Sequence, residues 1–213
     1  MQTKQPFFRN IDDYKILIAD EIPAFEPGAK WSYSNTGMHL LGVIIEKVTG
    51  TSYFDYMREN IYEPAGMLNT DAYDKDVPLA IRATGYTKEG GLWRTIMFTR
   101  VLKGGPSGGG YSTVEDLLNF EIAIRKHTLL SKEFTEIALS SKPEIGSPFY
   151  GYGFFVEQSE TGRIVSHGGD GGGISSQFSM YLDSGYMFAV LSNYSPPAAN
   201  IVTAVLNQMI VSQ

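Results

Sequence analysis

The sequence predicts an α+β fold: a mainly helical part over about residues 1–145, then an antiparallel sheet closed by a C-terminal helix over about residues 146–213. Three observations predict it. Apolar residues recur at helical spacing in the first part, four extended runs follow one another from Phe149 with short turns between them, and helical spacing returns after Pro197. A chain of 213 residues, 43% hydrophobic and 19% charged, buries one substantial core as one large domain or two intimate subdomains.

In the helical part, Phe7, Phe8, Ile11, Tyr14, Ile16 and Ile18 predict one short helix around Asp12 to Asp20. Pro27-Gly28 marks a turn, and Ser34 or Asn35 caps a helix whose stripe is Met38, Leu41, Ile44, Ile45 and Val48, ending at Gly50. Ser52 and Asp55 form a variant capping box for a second helix that runs to about Tyr62, where Pro64 stops it. Thr84–Thr87 and Leu92–Phe98 read as short extended pieces around a Gly90-Gly91 turn. The glycine-dense stretch Gly104–Tyr111 has neither dinucleotide-binding nor phosphate-loop spacing, and reads as tight turns. Ser112-Thr-Val-Glu115 is a capping box for a helix through about Arg125, and Ser131 caps another from Lys132 to Ser140.

The predicted strands are Tyr150–Glu157, Gly162–His167, Ile174–Leu182 and Tyr186–Ser192. Ser159–Gly162 and Asp183–Gly185 make the first and last hairpin turns, and Gly171–Gly173 reads locally as a wide glycine loop. Short links favour an antiparallel meander. Ile201, Val202, Val205, Leu206 and Met209 give the last helix an apolar stripe that is expected to lie on the sheet.

Charge and composition exclude several function classes. A net charge of -6, with Lys and Arg scattered singly, argues against a nucleic-acid surface or a polybasic membrane anchor and favours a small or peptidic substrate. There is no cysteine, and His39, His127 and His167 lack ligand spacing, so no metal or cofactor is expected. The longest apolar runs are too short to span a bilayer, and residues 1–24 carry no segment of signal-peptide type. The compartment stays open, cytoplasmic or secreted.

Three stretches carry a resemblance. Phe25-Glu-Pro-Gly, Tyr33-Ser-Asn-Thr-Gly with its helix, and Pro64-Ala-Gly-Met67 form the first block; Gly108-Gly-Gly-Tyr-Ser-Thr-x-Glu-Asp-Leu117 is the second; His167-Gly-Gly169-Asp170 at a strand end is the third. Together they resemble the serine β-lactamase-related family, which includes class C β-lactamases, low-molecular-mass penicillin-binding proteins and esterases. That resemblance implies the β-lactamase/transpeptidase-like fold and three active-site motifs: Ser-x-x-Lys with the nucleophile, Tyr-x-Asn, and Lys-Thr-Gly or His-x-Gly. It puts Tyr33 and Asn35 in the second motif and His167 in the place of the third-motif lysine. Gly168 and Gly169 would let the strand backbone lie against an acyl group, and the Asp170 N–H would supply an oxyanion donor.

The first motif is absent, since no serine or threonine in the sequence has lysine three positions later. The chain is therefore expected to begin inside the family's pattern, without its N-terminal helix, first strands and nucleophile. Two readings follow: a serine hydrolase acting on an amide, ester or β-lactam, present as a portion without its nucleophile, or a non-catalytic relative that holds a peptide-like or acyl ligand. A third recruits Ser34, Ser107 or Ser166 as nucleophile. Structurally, the strand Tyr186–Leu191 is expected to show an apolar edge that favours homo-oligomers or strand exchange. His39 is expected at the helix surface and His127 in the last turn of its helix.

Overall fold

The computed structural model describes residues 8–17, 19–80, 82–97, 102–160 and 162–212; Phe7, Ile18, Phe98 and the turn residue Thr161 lie outside them. A 3-10 helix over Ile11–Leu17 opens the described chain. Helix α1, Asn35–Thr49, starts where Ser34 Oγ accepts the Gly37 N–H at 3.0 Å and stops where Gly50 turns left-handed at φ 71°. Ser52 caps α2, Tyr53–Met57, by accepting the Asp55 N–H.

Pro64 does not stop that second helix. A π turn over Arg58–Tyr62 follows α2, and the Glu63 N–H reaches back five residues to the Arg58 carbonyl. The widened turn seats the proline ring, which would clash in a regular helix, inside α3, Glu63–Ala65. The helix ends instead at Gly66, φ 73°.

Strands β1, Tyr86–Glu89, and β2, Leu92–Thr95, form the expected hairpin, and positive φ at both Gly90 and Gly91 gives the turn that suits strand twist. Helix α4, Val114–Arg125, is capped one residue later than expected. Thr113 Oγ accepts the Asp116 N–H at 3.1 Å, while Ser112 Oγ is bonded to Thr70 Oγ at 2.8 Å. The buried Asp116 carboxylate accepts from the Asn69 N–H and the Thr70 hydroxyl, so this helix start is tied to the chain after α3. Ser131 caps α5, Lys132–Ala138, as expected. His127 lies just beyond α4 rather than in its last turn, left-handed at φ 57°, with Nδ1 3.2 Å from Thr135 Oγ1.

The main sheet is an antiparallel meander of β3, Phe155–Ser159, β4, Gly162–Gly171, β5, Ile174–Tyr181, and β6, Met187–Ser192, in chain order. Two boundaries differ from expectation. Residues 150–154 fold into a bend, with the Gly151 N–H on the Phe154 carbonyl, so β3 begins at Phe155. The glycines after His167 form no wide loop: β4 runs through them to Gly171, paired with Ile174, and only Gly172-Gly173 turn.

The core lies on one face of this sheet. Val165 and Met180 are 0% exposed and pack with Phe178, Ile124 of α4 and Leu139; Phe120 and Leu129 link them to a second cluster of Ala65, Met67 and Ala123. Each large apolar side chain buried this way stabilises the fold by about 1.5–3 kcal/mol. Helix α6, Ala198–Val211, lies on β5 and β6 as expected, but through another face than the predicted stripe. Its Ala199 N–H donates to Ser175 Oγ, and Asn207 Oδ1 accepts the Tyr181 hydroxyl at 2.6 Å. Those polar ties turn Ile201, 61% exposed, with Val202, Val205 and Met209 toward solvent. Helix α1 behaves alike: Gly42 is its buried residue, against Pro106, while Leu41, Ile44 and Val48 are exposed. On the outer side of β6 no strand pairs with it among the described residues, which leaves the expected open edge.

Candidate active site

The start of α1 and the far end of β4 bring the predicted residues together. Tyr33 immediately precedes the cap Ser34, so its ring is fixed by the first turn of α1 and its hydroxyl donates to Asn35 Oδ1 at 3.4 Å. His167 sits on β4 opposite Phe178. The Tyr33 and His167 ring centroids are 6.0 Å apart. His39, by contrast, belongs to a different contact: its ring stacks on Tyr14 at 3.8 Å on the other side of α1's first turns, and burial lowers its pKa.

The hydrogen-bond register explains what lies beyond His167. The Leu182 N–H donates to the Arg163 carbonyl, so odd-numbered residues of β4 exchange backbone bonds with β5 and even-numbered ones face β3. Strand β3 begins at Phe155, which lies opposite Ser166, so its pairing with β4 goes no further along β4 than Ser166. Past that point the β3 side of β4 is open among the described residues, and the Gly168 C=O and Asp170 N–H face it. The two glycines leave little room for side chains: a Cβ on Gly168 would lie 2.6 Å from Gln177 Oε1, and one on Gly169 3.1 Å from Ser176 Oγ. Gly168, Gly169 and Asp170 are themselves exposed, so this edge is accessible backbone.

Tyr150 is the residue that sequence reasoning missed. It stands in the bend before β3, is 4% exposed, and its hydroxyl oxygen lies 3.2 Å from His167 Nε2. Burial, and secondarily the neighbouring Tyr33, push its phenol up to about 12, so it stays protonated at neutral pH. Trp31, Tyr33 and Phe155 pack around its ring at 5.5, 5.9 and 4.9 Å. The sequence signal was the run of aromatics and glycines from Phe149 to Phe155, which alternation made look like a strand.

Among the described residues, no hydrogen bond joins the serines considered as substitutes to Tyr33 or His167. Ser34 Oγ is committed to the α1 cap, and Ser107 lies in the small turn closed by Gly105 and Gly108. Ser166 alternates with His167 and projects from the opposite face of β4.

Comparison with known proteins places the chain in a family. Penicillin-binding protein 4* of Bacillus subtilis (strain 168) is 34% identical over 214 residues, an alignment covering 88% of this chain and 47% of that protein. The chain thus spans about half the length of that curated relative. The crystal structure of a penicillin binding protein from Bacillus halodurans superposes with a TM-score of 0.89 at 26% identity, covering 97% of this chain and 66% of that one. A D-stereospecific amidohydrolase from Streptomyces sp. superposes at 0.74 with 26% identity, covering 90% and 58%. A family model described as Beta-lactamase matches residues 4–208, nearly the whole sequence, and the chain therefore belongs to the beta-lactamase family.

Proposed function

We propose that this chain carries the ligand-orienting part of a serine-hydrolase-type site for an acyl, peptide or β-lactam substrate, with no serine nucleophile among its 213 residues. The observation behind this reading is the convergence of Tyr33 and His167 on the open backbone edge of β4. In that assignment Tyr33 is the phenolic acid–base group and Asn35, which both donates and accepts, orients a substrate amide. His167 flanks the polar end of the ligand, Gly168 and Gly169 let its acyl group lie against the strand, and the Asp170 N–H is an oxyanion donor. Acyl transfer also needs a hydroxyl beside its base, and no Ser-x-x-Lys occurs in the sequence. That absence favours, for the chain by itself, ligand holding without turnover.

Intact-mass spectrometry after incubation with a fluorophosphonate and, separately, with a penicillin tests the reading, alongside calorimetric titration with the penicillin. The expected result is no covalent adduct, with saturable binding that His167→Ala weakens at least tenfold. A stoichiometric adduct would overturn the missing nucleophile, and peptide mapping would name the serine. Absence of binding by a folded sample would remove the ligand-holding reading.

The partner we propose at the outer edge of β6 is a second copy of the chain. Backbone groups of Met187, Ala189 and Leu191 alternate toward that edge, and Leu191 is itself exposed. Sedimentation velocity is expected to show concentration-dependent association that Leu191→Lys reduces; a monomer at all concentrations would refute it.

A further inference from the structure

We propose that Tyr150 is a positioning residue for His167, holding the neutral imidazole in its Nδ1–H tautomer and fixing the plane of the ring. The hydrogen bonds leave one consistent assignment. His167 Nδ1 lies 2.8 Å from the Gly168 carbonyl oxygen, which can only accept, so Nδ1 carries the proton. In the neutral ring Nε2 then holds a lone pair, and the Tyr150 hydroxyl, 3.2 Å away, donates to it. The opposite tautomer would set a lone pair on Nδ1 against the lone pairs of a carbonyl.

The donor is itself held in place. Ser147 Oγ donates to the Tyr150 carbonyl at 3.0 Å, and the Gly151 N–H on Phe154 closes the bend behind it. Phe155 packs against both rings, 4.9 Å from Tyr150 and 5.5 Å from His167. The Gly168 carbonyl is available for Nδ1 because the β3 pairing stops at Ser166, which leaves that oxygen without a ladder partner from β3. The same gap that opens the β4 edge to a ligand therefore supplies the acceptor that works together with the Tyr150 donor. Its importance for function rests on the assignment of His167 to the site; the tautomer does not.

The test is long-range 1H–15N correlation NMR of the full chain with 15N-labelled histidine, at pH about 9, well above the ordinary imidazole value of about 6.5. His167→Gln assigns the signal among the three histidines. The expected spectrum shows a pyrrole-type Nδ1 and a pyridine-type Nε2, and Tyr150→Phe is expected to convert this single tautomer into a mixture. An Nε2–H ring in the unmodified chain, or an unchanged pattern in Tyr150→Phe, overturns the proposal. If Tyr150→Phe does not fold, site-specific replacement of Tyr150 by a fluorotyrosine, a stronger donor of the same shape, decides. It should move the Nε2 resonance toward pyrrole-type, whereas a purely packing role would leave it fixed. The expected tautomer in a chain that binds no penicillin would fault the functional reading and leave this one intact; penicillin binding with the other tautomer would do the reverse.

Discussion

Against one face of the main sheet, Val165, Phe178 and Met180 meet Ile124 and Leu139 in a closed core; against the other, α6 is fastened through Ser175 and Tyr181 and turns its most apolar side chains outward. Helix α4 puts Ile124 into the core against the sheet, whereas α6 meets the sheet with Ile201, Val202, Val205 and Met209 turned away. The difference teaches that periodicity counts the faces a helix could bury but does not choose among them. On α6, where apolar residues occur nearly all round, two hydrogen bonds to the sheet make the choice.

The largest expected effect separates the two faces directly. Phe178→Ala removes a ring from the closed core and is expected to cost about 3–5 kcal/mol in urea unfolding, whereas Val205→Ala on α6 should stay within about 0.5 kcal/mol. Equal losses would break the comparison. Helix α1 repeats the contrast on a smaller scale: a Cβ at position 42 would meet Pro106 Cγ at 2.3 Å, so Gly42→Ala is expected to lower stability by about 1–3 kcal/mol while Leu41→Ala is nearly silent. A stable Gly42→Ala protein would mean that the loop carrying Pro106 yields.

At the mouth of the closed face, thermal melts of Thr113→Ala should register a loss of about 1 kcal/mol, the usual value of an N-cap. If removing the hydroxyl of Ser112 cost more, the helix start would be held by its tie to Thr70 rather than by the cap. The smallest handle is the Arg163–Glu136 pair at 2.7 Å, which joins the beginning of β4 to α5. Arg163, by hydrogen bond and by charge, holds the Glu136 carboxyl below the usual range. A depressed carboxyl pKa contributes stability above the unfolded value of about 4.3 and loses it as pH falls through the folded value. Since Glu136 is largely exposed, Glu136→Gln is expected to cost no more than about 1 kcal/mol at pH 7, with the gap shrinking steadily below pH about 4.3. A gap that widens in acid would contradict the assignment.

Much of this was readable beforehand because it is local. Ser34, Ser52 and Ser131 cap the helices they were expected to cap, Gly90-Gly91 turn the first hairpin, and the four strands follow in meander order. Each depends on a hydrogen bond or a backbone angle within a few residues. Tyr33, Asn35 and His167 were singled out for another reason, a resemblance carried by short motifs. Tyr150 was not, since nothing in its neighbourhood distinguishes a strand residue from one folded back beneath a histidine 17 positions away.

By itself, then, the sequence determined the caps at Ser34, Ser52 and Ser131, the Gly90-Gly91 turn, that the last four strands pair antiparallel, and that no serine or threonine in it stands three residues before a lysine. Only the tertiary structure decided which side of α1 and α6 is covered, that β4 extends through its glycines past the end of β3, and that Tyr150 reaches His167. The physical reason is range: caps and turns satisfy backbone groups from neighbouring residues, whereas burial and the proton on a histidine depend on which distant surface arrives opposite them.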